Sequence, residues 1–123
     1  MAQFIKSPSI IKAAGTREKI IKEFFGLVNS KTTEVSIAQM NSPEGWIEPG
    51  QCPEFNEYTV VLKGKLKITT KKAEFIVTEG QGIMTTKDEW VRYSTPFEGG
   101  SEYIAVCMPA FSPDIVRRDK EIL

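Results

Sequence analysis

The chain has 123 residues, with sixteen Lys or Arg, sixteen Asp or Glu and no histidine. This length suits one domain with a single core, and the balanced charge argues against nucleic acid or an anionic membrane surface as a partner. The absence of histidine removes the commonest metal ligand and the usual general base near neutral pH.

Neither a membrane span nor a secretory signal is evident. No apolar run reaches the roughly 18 residues of a membrane span, and the opening MAQFIKSPSIIKAAG lacks the order of a secretory signal. We therefore expect a cytoplasmic protein with no membrane partner.

Cys52 and Cys107 form no CxxC pair, and we interpret them as small, half-buried hydrophobic residues.

Residues 1–33 form an N-terminal segment whose secondary structure the sequence leaves open. Within it, REKIIKEFFGLV (17–28) places apolar side chains at helical spacing, with Thr16 as a possible N-cap. The same apolar residues also suit a strand. We expect a short helix or a strand here.

Residues 34–111 change to short β-like runs rich in β-branched and aromatic residues. These runs are EVSIAQM, NEYTVVLKGKLKITT, AEFIVTE, GIMTT, EWVRYST and SEYIAVCMPAF. Six strands at close spacing predict an all-β, antiparallel sandwich, jelly roll or small barrel.

Residues 112–123 carry a proline and a dense charge cluster, so we expect a charged, partly ordered C-terminal tail.

Two spaced patterns lie within residues 45–95. The first has the spacing G-x5-H-x-H-x3-E-x6-G and is occupied by Gly45, Gln51, Pro53, Glu57 and Gly64. The second has the spacing G-x5-P-x-G-x2-H-x3-N and is occupied by Gly80, Thr86, Asp88, Val91 and Thr95. In this spacing the chain resembles the cupins, whose fold is a single-domain jelly-roll barrel, also called a double-stranded β-helix. The run RYSTPFEGGSEYIAVCMPAFSP is also similar to the histidine-poor ethanolamine-utilisation cupins and related bacterial cupins.

The resemblance implies a place for a metal but not the ligands. In cupins three histidines and one glutamate hold a divalent ion, whereas here Gln51, Pro53 and Val91 take the histidine positions and only Glu57 remains. Pro and Val have no donor atom and a Gln amide is a weak one, so we expect a degenerate site with no metal and no other cofactor. An all-oxygen shell of Glu54, Glu57, Gln51 and water stays conceivable.

The family also implies a homodimer, with FIKSPSII (4–11) as a candidate exchanged segment.

Strand alternation then suggests which side chains face the interior. Residues two apart share a face, so Glu89, Val91 and Tyr93 should point inward together, with Met84 and Val61 as apolar walls. The expected ligand-binding residues are Gln51, Glu57, Thr59, Glu89, Val91 and Tyr93. Two facing carboxylates, Glu57 and Glu89, would raise at least one pKa toward neutrality. The alternative is that Glu57 only accepts hydrogen bonds from Tyr93 and Gln51, while Glu89 lies at the rim in water. By contrast, we expect Glu48 and Glu54 to be solvated loop charges.

Three functions remain open at this point. The first is binding of a small polar molecule, such as a sugar, sugar acid or carboxylate, inside the barrel. The second is a metal-free isomerase, epimerase or lyase in which Glu57 abstracts a proton and Tyr93 donates one. The third is a non-catalytic structural or regulatory cupin whose interior is filled by side chains such as Met40, Met84, Trp90 and Phe75.

Overall fold

A computed structural model describes residues 1–120, and within that range it contains nine β-strands. No helix among those residues is long and apolar enough to cross a membrane. The strands are β1 (Ser9–Ile11), β2 (Ile20–Phe25), β3 (Ser36–Ser42), β4 (Trp46–Ile47), β5 (Asn56–Thr70), β6 (Glu74–Thr78), β7 (Gly82–Thr85), β8 (Val91–Thr95) and β9 (Ser101–Met108). The expectation of an all-β chain is confirmed.

Strand β5 connects two antiparallel sheets because its 15 residues run through both of them. Its first half pairs with β9 on one side and β7 on the other, in a sheet that continues through β3 and β2 to β1. Its second half pairs with β6 and β8, and β8 pairs in turn with β4. The curled pair of sheets is the jelly-roll barrel that the sequence predicts.

Alternation of side chains places the core between the sheets. Along β9 every second residue, from Ser101 to Cys107, is buried while the residues between are partly exposed, which is the period of a strand with one buried face. The main core cluster collects Trp46, Val61, Leu66, Ile68, Val77, Val91, Tyr93 and Tyr103. Burial of these apolar surfaces supplies most of the driving force for folding.

The N-terminal segment contains the two strands β1 and β2, and the helical alternative for residues 17–28 is wrong. Strand β2 pairs with β3 over Ile20 to Phe25, with an irregularity between Glu23 and Phe25, and with β1 on its other edge. The partners on both sides satisfy its backbone hydrogen bonds, so the sheet decides between two conformations that the local sequence fits equally well.

Residues 111–120, which we call the C-terminal strap, lie along the loop that precedes β5. The strap exchanges backbone hydrogen bonds with this loop, from Cys52 N to Arg117 O at 3.1 Å, from Glu54 N to Ile115 O at 2.9 Å and from Asp119 N to Gly50 O at 2.7 Å. Val116 is buried in a second small cluster with Phe55 and Cys107. The segment that we expected as a tail therefore covers the barrel over residues 112–120, and its last three residues lie outside the described range.

Candidate functional site

A cavity of about 60 Å³ opens inside the barrel, lined by strands β1, β2, β3, β5, β8 and β9, by the loop between β1 and β2, by the loop before β5 and by the C-terminal strap. That volume accommodates a few water-sized groups. Its walls are largely apolar, from Ile21, Ala38, Met40, Ala105 and Phe111. Several charged and polar side chains reach it as well, and they come from elements far apart in the sequence.

Glu57 is the central acid of the cavity. It is only 9% exposed, and burial, with a further contribution from Glu48, raises the pKa of its carboxyl to about 7. Lys19 and a hydrogen bond with Tyr93 oppose this increase. The Tyr93 hydroxyl lies 2.9 Å from Thr85 Oγ1, and burial raises the pKa of the phenol well above its usual value. Glu57 and Tyr93 thus meet as the sequence suggested.

The second carboxylate beside Glu57 is Glu48, and the expectation that Glu89 faces the cavity is wrong. Glu89 is exposed and accepts a hydrogen bond from the Thr86 backbone N–H at 3.4 Å. It lies in a turn that contains Asp88 at φ 66°, and β8 begins only at Val91, so strand alternation does not apply to Glu89.

Glu48 itself was expected to be a solvated loop charge, and this expectation is also wrong. The residue is 5% exposed and lines the cavity. Burial raises the pKa of its carboxyl, while Lys19 and Arg118 act against that increase. The cavity therefore holds two neighbouring acids, with Glu48 in the place that we predicted for Glu89.

Lys19 is a cavity residue that the sequence did not indicate. Its Nζ lies 4.1 Å from the centroid of the Trp46 ring and 5.3 Å from that of Tyr103. Burial lowers the pKa of the ammonium, but Tyr103, Glu48 and Glu57 together raise it to above its usual value. Lys19 is consequently charged at neutral pH, and it lies in the segment whose helix or strand character the sequence left open.

Gln51 and Arg118 each bring to the cavity lining a buried polar atom that has no hydrogen-bond partner among residues 1–120. The atoms are Gln51 Oε1 and Arg118 Nε, and Gln51 is 4% exposed. The two residues face each other in an isolated antiparallel bridge. Gln51 was anticipated from its motif position, whereas Arg118 was missed because its segment was expected to be a tail.

The remaining predicted residues divide between core and surface. Thr59 is buried, and its Oγ1 has no hydrogen-bond partner in the described part of the chain, but it lies outside the cavity lining. Val91 and Val61 belong to the hydrophobic core. Met84, expected as an apolar wall, is exposed because the side chain projects from the outer face of β7. Cys107 lines the cavity, and burial raises the pKa of its thiol well above the usual value.

The donor set does not suit a metal ion. Within residues 1–120, no group of three or more His, Cys, Asp or Glu side chains is arranged to hold one. Glu54, a candidate for an all-oxygen shell, is exposed and lies 3.9 Å from the Arg117 guanidinium. Glu57 is buried in the barrel instead, so the two carboxylates do not converge. Among the motif positions, Pro53 and Val91 offer no donor atom.

Solved structures with the same architecture identify the fold. An RmlC-like cupin from Shewanella frigidimarina superposes with a TM-score of 0.72 at 13% identity, over 92% of this chain and 94% of that one. The chain has the cupin fold. The EutQ protein of Clostridium difficile superposes with a TM-score of 0.63 at 22% identity, over 75% of this chain and 63% of the EutQ chain.

Sequence comparisons give one partial match. No family model matches the chain. The chain is 35% identical over 101 residues to a Myxococcus xanthus protein named endoribonuclease YbeY. The matched region covers 82% of this chain but spans only 34% of the Myxococcus protein.

Proposed function

We propose that this cupin binds a small polar molecule in its barrel cavity. The observation that supports this most directly is the cavity itself, since charged groups from β2, β5 and the C-terminal strap converge there among apolar walls. A few polar groups in a mostly apolar concavity are typical of a small-molecule site. Of the sugars, sugar acids and carboxylates considered above, the volume of about 60 Å³ favours the smaller members.

A thermal-shift screen of small sugars, sugar acids and carboxylates tests this proposal. Ala38 is buried on the cavity wall, so Ala38→Leu fills part of the space. A ligand bound in the cavity raises the melting temperature of the wild type but not of this variant. Ala73→Leu, at an exposed turn, is the matched control and should respond as the wild type does. A shift that survives Ala38→Leu would place the ligand elsewhere and contradict the proposal.

The second candidate is a metal-free isomerase, epimerase or lyase, and the Glu57–Tyr93 pair favours it. A carboxyl with a pKa of about 7 can take up and release a proton at physiological pH. The Tyr93 phenol stays protonated because its pKa lies well above the usual value, so it can donate a proton. Glu57 would remove a proton from the bound molecule and Tyr93 would return one.

Deuterium exchange separates binding from catalysis. The wild type in heavy water should exchange a carbon-bound hydrogen of the ligand, as followed by NMR. Glu57→Gln should abolish this exchange, while the exposed Glu89→Gln leaves it unchanged. A ligand that binds in the cavity without any exchange would favour the binding function alone.

The third possibility, a barrel filled by side chains, is weakened by the exposure of Met84 and Phe75.

Ribonuclease activity is not part of this proposal. The Myxococcus protein bears that name, but this chain spans about a third of its length. Moreover, sixteen basic and sixteen acidic residues leave no excess positive charge for an RNA backbone.

We also propose that the protein acts as a homodimer, as the family resemblance implied. Apolar side chains are exposed on the outer face of the sheet that contains β5, β7 and β9, including Tyr58, Val60 and Met84. Tyr58 lies directly opposite Met84 in the β5–β7 pairing. Contiguous exposed apolar surface of this kind often marks a protein–protein contact.

A further inference from the structure

The two unpartnered atoms at the cavity wall carry information about the ligand. Gln51 Oε1 is a hydrogen-bond acceptor and Arg118 Nε carries a donor, and both are buried without a partner in the part of the chain that the structure describes. Leaving a buried polar group unpaired destabilises the folded chain, and more so when the group is charged. A ligand that pairs with them recovers this free energy.

One small molecule can reach both groups. Gln51 and Arg118 are opposite each other in an antiparallel bridge, and side chains of directly opposed residues lie on the same face about 5 Å apart at their Cβ atoms. A ligand that carries an acceptor and a donor on adjacent carbons can therefore face Arg118 and Gln51 together.

The other charged groups of the cavity already have partners. Glu23 accepts hydrogen bonds from the backbone N–H groups of Val28 and Asn29 at 3.0 and 2.8 Å. Lys19 lies over two aromatic rings and interacts with Glu48. The Arg118 guanidinium stacks on Phe111, 5.5 Å from the ring centroid. Among residues 1–120 no carboxylate forms a salt bridge with it, although its charge acts at longer range to lower the pKa of Glu48 and Glu57 against the larger effect of burial. An anionic group on the ligand can make the direct contact that these carboxylates do not.

We propose that the ligand is a small 2-hydroxy acid, whose carboxylate accepts a hydrogen bond from Arg118 and whose adjacent hydroxyl donates one to Gln51. This inference rests on the proposed binding function and narrows it to one chemical class. A carboxylate is the anion best matched to a guanidinium. The cavity volume limits the molecule to about four to six non-hydrogen atoms.

Three probes of the same skeleton test the inference by isothermal titration at pH 6. Lactate has both groups, propionate lacks the hydroxyl and propane-1,2-diol lacks the carboxylate. Lactate should bind at least tenfold more tightly than either of the others, because each of those leaves one buried group unpaired.

Two variants locate the contacts. Arg118→Lys keeps the charge but loses the Nε donor, and it should weaken lactate binding at least tenfold. The control is Arg117→Lys, since Arg117 is next in the chain and lies outside the cavity lining. It should change lactate affinity less than twofold. Gln51→Leu should remove the preference for lactate over propionate, and thermal melts check that every variant folds.

The outcomes distinguish this inference from the broader function. Equal binding of lactate and propane-1,2-diol, or no effect of Arg118→Lys, would overturn the hydroxy-acid inference. If all three probes fail to bind while a neutral sugar binds and is lost in Ala38→Leu, the inference is also overturned but the proposed binding function stands. If nothing in the screen binds in the cavity, both fail.

Discussion

At the scale of single residues, Glu57 couples the stability of the protein to pH. Burial and the neighbouring Glu48 raise the pKa of its carboxyl from 4.5 to about 7 in the folded chain. The folded state therefore holds this proton more tightly than the unfolded state does. The stability that results is fully present below the unfolded pKa and is lost as the pH rises through the folded value.

We accordingly predict that the free energy of unfolding falls by up to about 3 kcal/mol between pH 4.5 and pH 7 on account of Glu57. Glu57→Gln cannot ionise and should flatten this part of the pH profile, as measured by urea unfolding at several pH values. Glu89→Gln, at an exposed turn, should keep the wild-type slope. A Glu57→Gln profile as steep as that of the wild type would contradict the assignment.

At the scale of elements, the C-terminal strap is held by its buried side chains as much as by backbone hydrogen bonds. Val116 is buried between Phe55 and Cys107, so Val116→Ala removes two methyl groups from a packed site. We predict a loss of about 2 kcal/mol in unfolding free energy. Asp114→Ala, at an exposed position on the same strap, should be nearly neutral. A neutral Val116→Ala would mean that the strap does not pack on the barrel in solution.

Two glycines at the spaced motif positions test where the backbone needs the absence of a side chain. Gly64 and Gly80 have φ values of 75° and 81°, so alanine at either position costs about 1–2 kcal/mol in backbone strain. An added Cβ at Gly64 would lie only 2.1 Å from the Gly100 carbonyl oxygen, whereas at Gly80 nothing lies within 4 Å.

We therefore expect Gly64→Ala to be more destabilising than Gly80→Ala by at least about 2 kcal/mol. Chemical denaturation of the two variants measures the difference directly. Equal losses would indicate that the chain near Gly100 moves aside at little cost.

At the scale of the whole molecule, the exposed apolar face predicts self-association. Multi-angle light scattering should give the mass of a dimer for the wild type. Val60, 49% exposed on β5, lies at the centre of this face, so Val60→Lys should shift the protein toward monomer by burying a charge at the contact. Ile76→Lys, on the other sheet, is the control and should remain dimeric. A monomeric wild type would remove the prediction.

Much of the fold was predictable from the sequence because its signals are local. The β5 run from Asn56 to Thr70 matches the predicted strand, since it is rich in β-branched residues. Strands β1 and β4, of three and two residues, were missed because such short segments show no periodicity. Trp46 in β4 is held instead by packing and by an indole hydrogen bond to the Ala14 carbonyl at 2.9 Å.

The candidate site was less predictable because its parts meet only after folding. Gln51, Glu57 and Tyr93 lie at motif or alternation positions, and the sequence could indicate them. Lys19 and Arg118 come from the two ends of the chain, and no local pattern shows that they reach the same cavity. The C-terminal strap is hydrophilic and has the composition of a tail. Only its pairing with the loop before β5 shows that it packs on the barrel instead.

Strand β5 couples the unfolding of the two sheets. Because its 15 residues belong to both sheets, neither sheet can separate from the barrel without breaking hydrogen bonds along the same continuous backbone. The barrel should therefore open as a single unit, and the amide protons in the two halves of β5 should exchange with solvent at similar, globally limited rates.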